Sequence, residues 1–566
     1  MKAIIPLALA TWLVAPAAAE RYDILIRNAH IVDGSGNPWY PGDIGITDGR
    51  IRTIRTRIDA SAGTILDVKG LTVTPGFIDM HTHSDYTLLR DGNGESKIRQ
   101  GVTLEVIGEG SSAAPRKPGM GELSRTEGIT ERWTTFREYF DLLGRKGISV
   151  NLMSYVGAGQ LRRTVIGDVF RKPTAAELDR MKALARQAME DGALGLVTAL
   201  ETTTGAHPDA VPGVEELVEL TKAVAPYGGL YASHLRNQTD HFIDAIDEVG
   251  TIAERAHVAG EIFHIKSAGK PYFGQMARAL DEIRAMRRRG VDVTADVYPY
   301  IAAAHGLATE VPQWAKDGGR EQFVARLKDP SLRPRLRKET DEYIETKYYN
   351  EEKQVGGYAA VMISSTEKPN DPAIGKTIAE IAAERHVTGA DAALDLLAEN
   401  HGNVGIVMFY MSEADMRLAL ADPDVSICSD GSAISPAFGG RPHPRYYGTF
   451  PRILGKYVRD EKLLRLEDAV RKMTSLPAQR LGLRDRGVLR EGAWADVVVF
   501  DPATIIDTAT FDDPHQYPVG IEYVLVNGTI VVQQGKHTGA RPGRVLYGPG
   551  RRETATTSGD LAAARR

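Results

Sequence analysis

Two histidines separated by one threonine, His81 and His83, close the segment Thr74-Pro-Gly-Phe-Ile-Asp-Met-His-Thr-His83. The run before them reads as a buried strand. On a strand, residues i and i+2 point the same way, so both imidazoles converge on one point. Alone, such a pair is a weak sign of metal binding. Four further polar residues share its setting, each closing a short apolar run. His234 ends Gly229-Leu-Tyr-Ala-Ser-His234, and His264 ends Glu261-Ile-Phe-His264. Asp430 follows Val425-Ser-Ile-Cys-Ser429, and Glu109 follows residues 102–108. Imidazole and carboxylate donors suit Zn²⁺ or a similar divalent ion. Their recurrence at strand ends predicts a centre of one or two zinc ions held by His81, His83, Glu109, His234, His264 and Asp430.

Such convergence requires a scaffold that gathers the ends of many strands. Short apolar runs at residues 73–81, 102–108, 149–156, 195–200, 230–234, 262–266, 291–297 and 425–429 alternate with helical patterns, for example at 175–191, 213–225 and 239–259. Eight strands with intervening helices predict an α/β fold, a (β/α)8 TIM-like barrel over residues 67–484, whose active site lies at the C-terminal ends of the strands. An open doubly wound sheet would need a glycine-rich phosphate turn after an early strand, and the sequence has none. A charged, helix-like stretch at about 306–358 reads as an insertion, either a lid over the site or an exposed decoration. Residues 20–66 and 485–549 alternate like β-meanders separated by Gly and Asp-Gly turns, as at Asp48-Gly49. Together they predict one small β-sandwich domain built from both flanks.

The remaining composition narrows the partners. The chain has 566 residues, 42% of them hydrophobic, with 69 basic against 74 acidic side chains. That balance lacks the basic excess of a nucleic-acid binder and leaves a small-molecule substrate as the expected partner. Met1-Lys2, an apolar run from Ile4 to Val14 and the small residues Ala17-Ala18-Ala19 have the layout of a signal peptide. Residues 1–19 are therefore expected to be removed, with the mature protein periplasmic or secreted, and no later segment is long and apolar enough to span a membrane. Cys428 is the sole cysteine. It sits in a strand-like run, which favours packing over nucleophilic chemistry. Residues 550–566 read as a flexible tail, and homo-oligomer formation is left open.

The segment Pro75-Gly-Phe-Ile-Asp-Met-His-Thr-His83 resembles the opening signature of the amidohydrolase superfamily. More narrowly, the chain is similar to the D-aminoacylases (N-acyl-D-amino-acid deacylases) in Ser233-His-Leu-Arg-Asn237, His264-Ile-Lys266, Asp296-Val-Tyr-Pro-Tyr300, Ser429-Asp-Gly431 and His443-Pro-Arg445. Tyr447-Gly-Thr-Phe450, Thr474-Ser-Leu-Pro-Ala478 and Gly492-Ala-Trp-Ala-Asp496 continue the likeness, which runs from about Tyr22 to Tyr547. The resemblance implies a metal-bearing barrel, His81, His83, His234 and His264 as ligands, and Asp430 as the proton-transfer group. Two positions depart from the family pattern. Gly108-Glu-Gly-Ser-Ser112 carries Glu109 where relatives have a zinc-ligating cysteine, and a carboxylate there can bridge two ions. Ala158 stands where relatives often have histidine.

The implied reaction is metal-assisted attack of water on an amide, with Asp430 as base and then acid. Tyr298 is either a hydrogen-bond donor to the tetrahedral oxyanion or a packed strand residue. Lys266 and Arg445 are candidate clamps for the substrate carboxylate. The alternatives are an internal ion pair for Lys266 and a solvated loop charge for Arg445. Glu201 reads as a surface-loop residue. Two other functions stay open: a cyclic amide hydrolase of hydantoinase or dihydroorotase type, and a binding protein on a catalytically dead scaffold. The first usually needs a carboxylated lysine, which the run at 195–200 lacks.

Overall fold

The computed structural model describes residues 21–117, 128–200 and 212–552. The signal-peptide segment, Glu201 and most of the C-terminal tail lie outside them. In the middle of the chain the apolar runs form eight parallel strands: Phe77–Asp79, Val102–Ile107, Asn151–Ser154, Gly195–Ala199, Leu230–His234, Gly260–Ile262, Val293–Val297 and Val425–Ile427. Each pairs with the next. The third reaches the fourth through Val156–Gly157. Most positions are buried on both faces, as in the six-residue second strand, because helices cover the outside and side chains fill the interior.

The ring closes between its first and last strands. Thr82 bridges Gly431 in parallel, Asp430 N–H donates to the His81 carbonyl at 3.0 Å, and His83 N–H donates to Gly431 at 3.2 Å. Buried beneath that seam, Asp79 accepts the Ser429 N–H at 2.8 Å and pairs with Lys97 Nζ at 2.9 Å. Lys97 also donates to Ser429 Oγ. A fully buried ion pair needs further hydrogen bonds, and Ser429 supplies one to each partner.

The barrel helices follow from local signals. Ala175–Asp191 begins at a capping box, Thr174 with Glu177, and ends at Gly192 in the left-handed conformation. Phe242–Ala256 buries Phe242, Ile246, Val249 and Ala253, the i, i+4, i+7 and i+11 positions of a helix face turned to the barrel.

Both flanks contribute to one nine-stranded sheet. Arg21–Ile31, Tyr40–Thr47, Arg50–Arg55 and Ser61–Asp67 come from the first flank, and Val497–Phe500, Ile521–Val526, Thr529–Gln533 and Lys536–His537 from the second. The sheet curls until Ile51 exchanges hydrogen bonds with residues 492 and 493. Its inner layers enclose Ile24, Ile26, Ile44, Val497 and Val499. The alternate residues Val498 and Phe500 join the barrel core, as the two-residue period of a strand requires.

Two boundaries differ from the sequence reading. Residues 73–81 are not one barrel strand. Thr72–Pro75 pairs with both flanks of the small sheet, and only Phe77–Asp79 enters the barrel. Gly76 makes the switch: a Cβ there would lie 2.1 Å from Thr103 Oγ1, so no other residue fits without displacement. The insertion is also larger than 306–358. Ala302–Gly306, Gly405–Phe409 and Val361–Ser365 form an antiparallel sheet, so the excursion between the seventh and eighth strands is a subdomain spanning residues 302–411. Long-range antiparallel pairing of this kind has no local sequence signature.

Candidate active site

At the C-terminal ends of the barrel strands, the residues singled out by type and spacing come together. His81 and His83 follow the first strand, Glu109 the second, His264 the sixth and Asp430 the eighth, while His234 ends the fifth. Donor atoms of His81, Glu109, His264 and Asp430 all lie within 4.8 Å of one another. His81 Nε2 is 2.5 Å and His83 Nε2 3.1 Å from Glu109 Oε2, and His234 Nδ1 is 2.9 Å from Glu109 Oε1. His83 Nε2 lies 2.9 Å from Asp430 Oδ1, and His264 Nε2 is 3.8 Å from Asp430 Oδ2. Donors each about 2.0–2.2 Å from one tetrahedral zinc stand roughly 3.5 Å apart. The cluster therefore has both the chemistry and the dimensions of a divalent-metal site.

The carboxylates and imidazoles of the cluster act strongly on one another: against burial, Asp430 and Glu109 hold the His83 imidazole well above its ordinary value. Burial alone would raise the Glu109 carboxyl, but the charge of His81 and hydrogen bonds from His234, His81 and His83 hold it well below the usual range. Asp430 is likewise held low against burial, chiefly by the buried Arg445 guanidinium. His264 is pushed well below an ordinary imidazole, by burial first and then by Lys266, so it is neutral, the form that ligates metal. Both His264 and Asp430 adopt left-handed backbone, with φ of 36° and 48°. Strain of this kind, of order 1–3 kcal/mol per residue, persists only where the surroundings enforce it and is typical of functional sites.

The cluster floors a cavity of about 360 Å³. His83, Glu109, His234, His264, Lys266 and Asp430 line it. Lys266 Nζ lies 2.7 Å from His264 Nδ1 and donates to the His264 carbonyl at 3.0 Å. Ala158 lines the cavity too. The fourth strand, Gly195–Ala199, presents Thr198 and Ala199 and no lysine.

One expectation requires correction, and one alternative is excluded. The Tyr298 hydroxyl does not face the cavity: the residue is buried, and its O–H points to Met411 Sδ at 3.5 Å. Its ring is held between His264 and the Arg445 guanidinium, the latter 4.7 Å away. Arg445 is not a solvated loop charge, and two nitrogens of its fork, Nε and Nη1, have no hydrogen-bond partner. It is buried behind the site, with Nη1 2.9 Å from Asp430 Oδ2. The local fold dictates this, because buried His443 accepts the Arg445 N–H at 2.9 Å and faces the Ala302 carbonyl through Nε2 at 3.0 Å. Cys428 is a buried core residue whose thiol burial pushes far up, as its packing reading anticipated.

Several further residues line the cavity without a sequence motif to mark them. Arg162, Arg163, Asp168 and Phe170 come from the region after the third strand, and His305 and Tyr410 from the insertion. Arg162 pairs with Glu216 at 2.5 Å, Arg163 with Asp168 at 2.7 Å, and His305 with Glu310 at 3.2 Å. The available signal was position alone: residues following Val156–Gly157 sit where barrel loops gather.

A closed β/α barrel bearing a histidine–carboxylate cluster at its strand ends defines a metal-dependent hydrolase. The chain belongs to the amidohydrolase family, whose sequence model matches residues 64–532, and within it to the D-aminoacylases. It is 37% identical to the D-aminoacylase of Alcaligenes xylosoxydans xylosoxydans, over 93% of this chain and 98% of that one. Among solved structures, the N-acyl-D-glutamate deacylase of Bordetella bronchiseptica, complexed with zinc and a phosphonate mimic of the tetrahedral intermediate, matches with a TM-score of 0.78 and 33% identity. The match covers 93% of this chain and 100% of that one. A D-aminoacylase described for its binuclear metal centre matches with a TM-score of 0.77 and 33% identity, at the same coverage.

Proposed function

We propose that the protein hydrolyses the amide bond of N-acyl-D-amino acids, releasing a carboxylic acid and a D-amino acid, with zinc as its metal. The observation that carries this reading is the four-histidine, two-carboxylate cluster at the floor of a cavity sized for a small molecule. Likeness over nearly the whole chain to enzymes of that activity supports it.

His81, His83, His234, His264 and Glu109 would hold the metal. A zinc ion supplies Lewis acidity, polarising the amide carbonyl and making water a competent nucleophile near neutral pH. Asp430 reaches into the cavity as an anion, so it is available to take a proton from the attacking water and return it to the leaving nitrogen. Arg445 balances the charge of Asp430 and fixes its orientation from behind. Lys266, a lining cation beside the cluster, would bind the substrate carboxylate. The Ala17-Ala18-Ala19 site supports an exported mature protein beginning at Glu20, which N-terminal sequencing of protein from the periplasm or medium would establish.

The decisive experiment combines metal analysis of purified protein with a paired screen of N-acetyl-D- and N-acetyl-L-amino acids. Zinc together with release from D-substrates is expected. Release from L-substrates alone, or from neither, would refute the deacylase reading.

A further inference from the structure

Asp296 ends neither a ligand motif nor a cavity wall. It lies within the seventh barrel strand, with its side chain fully buried. Oδ1 accepts the backbone N–H of His264 at 2.5 Å, and the Asp296 carbonyl accepts that of Ile265 at 2.8 Å. Oδ2 receives no N–H or O–H, the buried Cys428 thiol being the side chain that interacts with this carboxyl. His81 shows the complementary feature. Its Nε2 faces Glu109, whereas its Nδ1 is buried and equally unpartnered. A ring nitrogen of His81, a carboxylate oxygen of Asp296 and Cys428 Sγ lie within 4.8 Å of one another. The His81 ring is stacked on Phe263, with centroids 4.1 Å apart and planes inclined by 11°, which limits its reorientation.

Two unpartnered polar atoms on neighbouring buried side chains are costly unless they bond, since a buried unsatisfied group costs about 1–3 kcal/mol. We infer that Asp296 is a positioning residue for the metal centre, its Oδ2 accepting the Nδ1–H of His81 while Oδ1 holds the His264 backbone. One carboxylate on the seventh strand then sets two ligands from different strands. It fixes the His81 tautomer, leaving the Nε2 lone pair directed at the cluster. It also ties down the left-handed backbone of His264, a conformation that must be imposed from outside. This inference rests on reading the cluster as a metal centre.

The test is Asp296→Asn in the zinc-loaded enzyme, with zinc affinity read by chelator competition. The amide keeps the shape and the acceptor for His264, but offers an N–H to His81 Nδ1 and so favours the wrong tautomer. Zinc affinity is expected to fall about 10–100-fold, with the melting temperature of the metal-free protein unchanged. Cys428→Ser is expected to leave zinc affinity and content unchanged. If it instead lowered zinc content, the His81–Asp296–Cys428 trio would be an ion site of its own and the inference overturned. Asp296→Asn retaining wild-type affinity would also overturn it, whereas a wild-type protein that binds no zinc would refute the metal centre itself. Should Asp296→Asn fail to fold, a crystal structure of the zinc-loaded wild type decides. A His81 Nδ1–Asp296 Oδ2 distance of about 2.7–3.2 Å is expected, and Nδ1 bonded elsewhere would overturn the inference.

Discussion

Glu109 turns one carboxylate oxygen to His81, at 2.5 Å, and the other to His234, at 2.9 Å. It therefore joins the histidines of the first strand to that of the fifth. A thiolate offers a single donor atom, but a carboxylate offers two, and this geometry suits a ligand shared between two ions. Glu109→Ala should lower zinc content from about two ions to one or fewer, measured by plasma emission on dialysed protein. A count near one that the substitution leaves unchanged would rule out the bridge.

Asp430→Asn preserves shape while removing the base. Turnover should fall by about 10²–10⁴-fold with zinc content intact. Arg445 then loses its buried partner, so stability should drop as well, by roughly 3–5 kcal/mol if the guanidinium is left uncompensated. Steady-state kinetics beside denaturant unfolding separates the two effects. Retained turnover would remove Asp430 from the mechanism.

Lys266→Met takes the lining cation from beside the cluster. If that ammonium binds the substrate carboxylate, KM should rise by at least about 10-fold, since a charged hydrogen bond is worth about 1.5–3 kcal/mol. An N-acyl amide lacking the carboxylate should be insensitive to the change. A variant that altered kcat with KM intact would instead assign Lys266 to holding His264.

Glu105 gives a pH signature. Buried on the second strand, it accepts from Ser84 Oγ, and burial pushes its carboxyl from 4.5 up to about 7 despite the opposing charge of Lys97. The folded state thus binds this proton more tightly than the unfolded chain. Its contribution to stability is fully present below about pH 4.5 and lost as pH rises to about 7. A tenfold change in proton affinity is about 1.4 kcal/mol, so the span is a few kcal/mol. Asp85, raised to about 6 mainly by burial, acts in the same direction. Glu105→Gln should flatten the stability profile between pH 5 and 8. Parallel profiles for the two proteins would show that Glu105 does not titrate in this range.

The sequence by itself determined the parts of the site. Apolar runs ending in His81, His83, His234, His264 and Asp430 are local patterns, readable because a barrel strand buried on both faces is nearly continuous in apolar residues until its exposed end. The β-rich flanks were legible for a different reason, the two-residue alternation of strands buried on one face. Tertiary structure alone decided how those parts meet. The seam joining Asp79 to Ser429 and the pairing of Arg445 with Asp430 depend on ring closure and on the His443 turn, not on spacing along the chain. The same holds for the extent of the insertion, whose strands pair across about 100 residues, and for Asp296, whose two oxygens acquire meaning only against His264 and His81. Hydrophobic periodicity records which face of an element is buried. It carries no record of which distant polar group will lie opposite.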